Sequence, residues 1–472
     1  MPGIGVPRRR RPAQLESIVN ASSHRFALIA LSLLLGQGSA AAAVIEITPA
    51  DDYRGTMQSL VAGDTLILHG GTYPLSSFFS LTLAGTAQQP ITIRAASGEQ
   101  PHIHYVNGGQ NIVNIANSAF LVLDGIEFSG GSRGIRLTAS SDITIRNCHV
   151  HHTAANAISA NDIGSVYARL NIVHNEIDHA GGTAEGLYLG CNNDGCRIHD
   201  SLIANNYIHH LNDPGVTQGD GIEIKAGSYA NIVRDNVIHD TAYPGITLYH
   251  TNGNGAPNLI ERNVVWASGD NGIQVTADAT VRNNIVLGAV AHGIGIHASQ
   301  GGAVGNLVIV NNTVLKATGD ALHINDVSGS VLVANNALYA QSGRAVYADG
   351  ATGQVTMLAN IGSGTLSGVS GGFNASGNIA TDFASANYSG RPPMDLVPRG
   401  GLLVGGADPA SLPGDDFNGV SRAPWRDTGA YRGDPAGNAG WPLQEGFKTL
   451  PLIFADGFDG QALPVADRWP GL

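Results

Sequence analysis

From about residue 110 onward, apolar and polar positions alternate in short runs, and the runs come in pairs. The first run of each pair is β-branched and carries an asparagine, as in ITIRNCHV, LNIVHNEI, NIVRDNVI and VIVNNTV. The second opens on Gly or Ala and reads apolar-x-apolar, as in GLYL, GIEI, GITL and GIQV. Period-two alternation marks strands with one buried face, and the abundance of Val, Ile, Thr and interrupting Gly argues against helix. Asn147, Asn175, Asn206, Asn236, Asn263, Asn284, Asn312, Asn336 and Asn360 recur 21 to 31 residues apart. A period of that size, with two or three short strands per unit, describes a solenoid in which each coil buries its apolar side against the next. A leucine-rich repeat would add regular leucines and a helical segment per unit, and neither is present. The pattern predicts an all-β fold, a single-stranded right-handed parallel β-helix of about ten coils, with its asparagines stacked as a hydrogen-bonded ladder.

The ends fit this scheme. Residues Asp51 to Val61 read as a short amphipathic helix suited to cap the first coil, since an open sheet end invites association. The repeat weakens after about residue 365, so residues 44–380 are expected to form the β-helix. Residues 381–445 would be an irregular closing segment packed on it, and 446–472 a C-terminal tail. Asp416-Phe417-Asn418-Gly419 and Asp427-Thr428-Gly429-Ala430-Tyr431 resemble a closing segment of bacterial β-helix proteins, and Leu450 to Asp459 resembles a tail motif of exported ones. At the N-terminus, Arg8 to Arg11, the apolar run Phe26 to Leu35 and the alanines at 40–43 form a signal-peptide pattern over residues 1–43. The apolar run is too short to span a bilayer, so the mature chain is expected to be secreted or periplasmic, without a membrane span.

Composition narrows the partners. The formal net charge is −12, which argues against a nucleic-acid backbone as ligand. An acidic protein that handles an acidic polymer needs a bridging cation. Cys191 and Cys196 bracket a small turn-rich loop, which in an exported chain is expected to close as a disulfide. Cys148 is left over as a small buried hydrophobe.

Function is expected where the coils break their own pattern. From the ladder asparagine to the Gly or Ala that opens the next strand, five successive coils use nine residues, whereas Asn175 to Gly186 uses eleven and Asn206 to Gly221 uses fifteen. The longest insertion runs into Asp220-Gly221-Ile222-Glu223-Ile224-Lys225, and the Cys-bracketed loop lies one coil below. Alternation sets Glu223 and Lys225 on the outer side of a strand with Ile222 and Ile224 inside. Adjacent coils are ~4.8 Å apart, so Glu185, Asp220 and Glu223 are expected to cluster as oxygen donors for Ca²⁺. Lys225 would lie beside them, with Tyr188, Tyr249, His250, Gln274 and His297 flanking as contacts for a sugar polymer. In a charge-poor chain (13% Asp, Glu, Lys and Arg) such a group is either catalytic or an ordinary ion pair on an exposed strand. His292, His297 and His323 read first as solvated surface, and His209-His210 as a weak metal site.

The strand Asp220-Gly-Ile-Glu-Ile-Lys225, followed by Val233-Arg234-Asp235-Asn236, resembles the calcium-dependent β-helix pectate lyases that use a lysine base, polysaccharide lyase family nine. The detailed likeness covers residues 180–260. The dense aspartate group ahead of that family's lysine is thinner here. The resemblance implies Lys225 as base and Asp220 as a calcium ligand; Glu223, on the same face, is expected to act beside Lys225 in catalysis. The expected activity is Ca²⁺-assisted β-elimination on an acidic, uronate-containing polysaccharide by a monomer. An epimerase or glycoside hydrolase using the same carboxylates, and a non-catalytic carbohydrate-binding β-helix, stand as alternatives.

Overall fold

The structure, a computed structural model, describes residues 42–433, 438 and 441–449. Most of the expected signal peptide and the motif from Leu450 onward lie outside the described residues.

The chain winds as a parallel β-solenoid of about 11 turns. Each full coil contributes three short strands. The first strands stack into a sheet of 13, from Val44–Ile47 to Val355–Leu358. The second and third stacks belong to one sheet of 22 strands, because the strands Thr313–Asn325 and Ala337–Asp349 run through the corner between them unbroken. Inside, one aliphatic side chain sits on the next: Ile222, Ile246, Ile273 and Ile294 pair in register and are fully buried. The expected cap is the helix Tyr53–Ser59, whose N-cap Asp52 accepts from the Gly55 amide. Its Met57 is buried in the same core as Phe79, Leu81 and Ile93.

The asparagine ladder runs from Asn175 through Asn206, Asn236, Asn263, Asn284, Asn312 and Asn336 to Asn360. Each Oδ1 accepts the backbone N–H and the Nδ2 of the asparagine one coil below at 2.8–3.0 Å. One expectation is corrected. The rung below Asn175 is Cys148, whose N–H donates to Asn175 Oδ1. Asn147 sits one residue earlier with φ +53°, at a corner where asparagine is favoured because it tolerates the left-handed conformation. A second ladder, Ser201–Asn231–Asn258, was hidden in the sequence by its short run.

The closing segment supplies a second core outside the solenoid. Phe383, Met394, Leu396, Leu403, Phe417, Tyr431 and Leu443 bury the outward side chains Val237, Val264, Trp266, Ile285, Leu287 and Tyr339. Arg422, fully buried, donates to the carbonyls of Asp415, Gly429 and Ala430. Asp416 and Asp427 of the two quoted motifs accept turn amides. No helix among the described residues is long and apolar enough to cross a membrane.

Candidate functional site

Two carboxyls, Asp220 and Glu223, meet Lys225 on the outer side of the third stack, with Glu185 one coil below. Pairing puts Tyr188 opposite Glu223, Glu223 opposite Thr247, and Thr247 opposite Gln274, and the Gly186 amide donates to the Asp220 carbonyl. Alternation sets Glu223 and Lys225 outward as expected, yet Asp220, Glu223 and Lys225 are only 4%, 3% and 5% exposed. The exposed-strand ion pair is thereby overturned. The lysine is enclosed by rings, its Nζ 4.5 Å from the centre of Tyr188 and 5.3 Å from that of Tyr249.

Lys225 Nζ donates to Glu223 Oε1, and the Tyr249 hydroxyl donates to the same oxygen at 3.1 Å. Glu223 Oε2 is buried without a hydrogen-bond partner. Thr247 Oγ1 donates to Asp220 Oδ1 at 2.6 Å. Burial, then the Glu223 charge, pushes the Asp220 carboxyl up to about 8. Burial likewise raises Glu223 despite its lysine. For Lys225, burial pulls downward, but the Glu223 charge and hydrogen bond outweigh it and leave the ammonium favoured. One cation therefore sits among an excess of acid. Glu185, buried, is held by Asn156 Nδ2. Among the described residues, it does not join Asp220 and Glu223 in a group of ligand atoms within 4.8 Å of one another.

Asp220, Glu223 and Lys225 end a cleft of about 660 Å³ that follows the third stack toward the C-terminus. Of the expected polymer contacts, Tyr249, Gln274 and His297 line it, while Tyr188 does not and instead packs its ring on Lys225. His250 does not line it: its ring packs on Gly302, with Nε2 3.3 Å from the Gln300 carbonyl oxygen. Alternation lapses because the strand ends at Leu248. His292 and His323 line the cleft rather than lying on open surface, and burial holds His292 down at about 4.

The long insertion supplies Gln218 to the cleft. The loop from Cys191 to Cys196 is closed by the expected disulfide and supplies Asn192. Gln300 Nε2 donates to Asn192 Oδ1 at 2.9 Å, and Gln300 Oε1 accepts from the Asn193 amide at 3.2 Å. This bridge joins residues more than a hundred positions apart, and nothing in the local pattern signals it. Gly227, with φ +85°, lets the disulfide loop close on the lysine strand, since a Cβ there would lie 1.8 Å from Asp194 Oδ1.

The repeat and its stacking agree with a known sequence family, described as the right handed beta helix region, which matches residues 82–203 and 199–361, more than half of the chain. The chain belongs to the right-handed β-helix family. The sequence matches no curated protein. Solved structures similar to it include the pectate lyase Pel9A, at 14% identity, with 83% of this chain and 96% of that one covered and a TM-score of 0.49. Another is an alginate lyase from Paenibacillus sp. str. FPU-7, at 19% identity, 70% and 97% coverage and a TM-score of 0.38. A third is the A-module of the Azotobacter vinelandii mannuronan C-5 epimerase AlgE6, at 15% identity, 70% and 96% coverage and a TM-score of 0.43. At these identities the similarity is one of fold.

Proposed function

We propose that this cleft binds an acidic, uronate-containing polysaccharide and cleaves it by β-elimination, with Lys225 as the base, in an exported protein. The observation that carries this reading is the buried Lys225–Glu223–Asp220 group at the cleft's end, with Glu223 Oε2 left unpartnered. β-Elimination takes the C5 proton, expels the C4 oxygen and leaves a C4–C5 double bond. The substrate carboxylate beside C5 must be neutralised for that proton to become acidic. Ca²⁺ supplies this as a Lewis acid when bound, and Glu223 and Asp220 would hold it, other oxygens coming from substrate and water. The unpartnered Oε2 and the surplus of acid over base fit such an ion.

Lys225 is an ammonium while Glu223 faces it. Once the Glu223 charge no longer faces it, the largest influence favouring the ammonium is gone, and burial favours the neutral amine that can take the proton against the smaller opposing influence of Tyr188. Tyr249 keeps its proton, because burial and the Glu223 charge raise its pKa. It is suited to protonate the departing oxygen. Gln274, Asn271 and His297 offer the hydrogen bonds a polymer needs along the cleft.

One observation favours a second reading. A carboxyl pushed up to about 8, as Asp220 is, stays protonated at neutral pH, as the general acid of a glycoside hydrolase must. Purified protein incubated with pectate, alginate and glycosaminoglycans, with Ca²⁺ or with chelator, separates the two. Ultraviolet-absorbing unsaturated ends that vanish in Lys225→Ala and on chelation support elimination. New reducing ends without that absorbance support hydrolysis, and full lyase activity in Lys225→Ala overturns Lys225 as the base.

A further inference from the structure

The second stack, which precedes the cleft strand in every coil, carries a different chemistry on its outer side. Pairing aligns His102, Glu127, His149 and Glu176 in one column. In the adjoining column His151 precedes Asp178, and Asp178 precedes His209. His152 and His179 follow the strand ends His151 and Asp178 with φ +50° and +48°, which turns both rings back beside the columns. Imidazole and carboxylate thus alternate along the axis at the spacing of the coils.

The side chains converge. Four overlapping groups of three bring one ligand atom each to within 4.8 Å of one another, and Asp178 belongs to three of them. Asp178 is buried; its Oδ2 lies 2.6 Å from His149 Nε2 and its Oδ1 2.5 Å from His179 Nδ1. His151 Nδ1 and His152 Nδ1 lie 2.7 Å apart, a separation at which two ring nitrogens share a single proton. His149 and His151 stack with centroids 4.1 Å apart. Ligands on a common zinc lie about 3.3 Å apart, given metal–ligand bonds of about 2 Å. Small rotations would therefore close the group on an ion.

We propose that His149, His151 and Asp178 bind a divalent transition metal of the zinc class, with His152 and His179 as neighbouring ligands. Imidazole nitrogens with a carboxylate suit zinc and its neighbours, whereas calcium takes oxygen. Three protein ligands at a half-exposed position leave room for water or a ligand atom of a bound molecule. Near the site, Phe447 stacks on His174, at the corner just before the Asp178 strand, and packs on Tyr207, while Arg391 of the closing segment pairs with Asp240 two coils higher. The site does not depend on the reading of the cleft, which lies on the next strand of the coil.

The test is calorimetric titration of the untagged, chelator-stripped full chain with Zn²⁺, together with the visible spectrum of its Co²⁺ form. Saturable binding is expected, with cobalt absorption bands of nitrogen and oxygen coordination. Asp178→Asn and the double variant His149→Gln/His151→Gln should weaken binding by roughly 10- to 100-fold or more, while His69→Gln, far down the solenoid, leaves it unchanged. Metal-free melting curves check the fold. Should Asp178→Asn fail to fold, the double variant decides alone, since both rings are only partly buried. Absence of saturable binding, or wild-type affinity in the double variant, overturns the proposal.

Discussion

Asp220 links the electrostatics of the site to the stability of the whole chain. In the unfolded chain its carboxyl ionises from about 4 upward; in the folded chain burial and the Glu223 charge delay this to about 8. The folded state therefore holds the proton more tightly. The stability this group contributes is fully present below pH 4 and is lost as pH rises through 8. Asp220→Asn keeps the oxygen that accepts from Thr247 and removes the charge. The difference in melting midpoint between variant and wild type should be small near pH 4 and grow in the variant's favour toward pH 8. In free energy this amounts to about 6 kcal/mol at most, at about 1.4 kcal/mol per pKa unit. Parallel pH–stability curves would mean that Asp220 ionises freely in the fold. Calcium, if Glu223 and Asp220 hold it, should reduce the difference by stabilising the wild type at high pH.

At the scale of the coil, the ladder turns one residue type into an axial line of buried hydrogen bonds. Asn263 Oδ1 accepts both donors of Asn236, and its Nδ2 donates to the Val233 carbonyl and to Asn284 Oδ1. Asn263→Ala leaves these buried groups unpaired and is expected to cost roughly 2–5 kcal/mol, read as a lowered urea midpoint. A loss below about 1 kcal/mol would mean that water replaces the amide. The ladder was legible because a buried amide must recur in every coil. Its first rung was misread because two adjacent positions both favour asparagine: the rung itself and the left-handed corner before it, as the pairs at 205–206 and 283–284 illustrate. The cleft was half legible for a similar reason. Period-two alternation sets Glu223 and Lys225 side by side, but their burial depends on rings from neighbouring coils and on Gln300 meeting Asn192. His250 was misassigned where the alternation stops, and of the histidines on the second stack only the pair His209-His210 was read as a weak metal site, because the partners of His149 and His151 are a coil away.

Across the whole molecule, the polarity of outward positions reports what lies against each stack. Strands of the third stack read Ile-Glu-Ile, Ile-Thr-Leu and Ile-Gln-Val, polar outside because the cleft faces them. Low on the second stack the pattern is His-Val-His and Glu-Ile-Asp. Higher up it changes to Val-Val-Trp at 264–266 and Ile-Val-Leu at 285–287, apolar on both sides, as strands covered on both faces must be. The cover is the closing segment, whose Phe417 and Tyr431 are fully buried against that row. Each large side chain so covered contributes roughly 1.5–3 kcal/mol, and the same surface left open would be a contiguous apolar patch prone to association. A chain ended after residue 380 should therefore bind a hydrophobic dye and aggregate, as followed by light scattering. Tyr431→Ala should lower the melting midpoint by the equivalent of roughly 3–5 kcal/mol. A truncated chain that stays monomeric with the full-length melting midpoint would mean that the solenoid is stable without its second core. The switch from polar to apolar outward residues would then need another occupant to explain it.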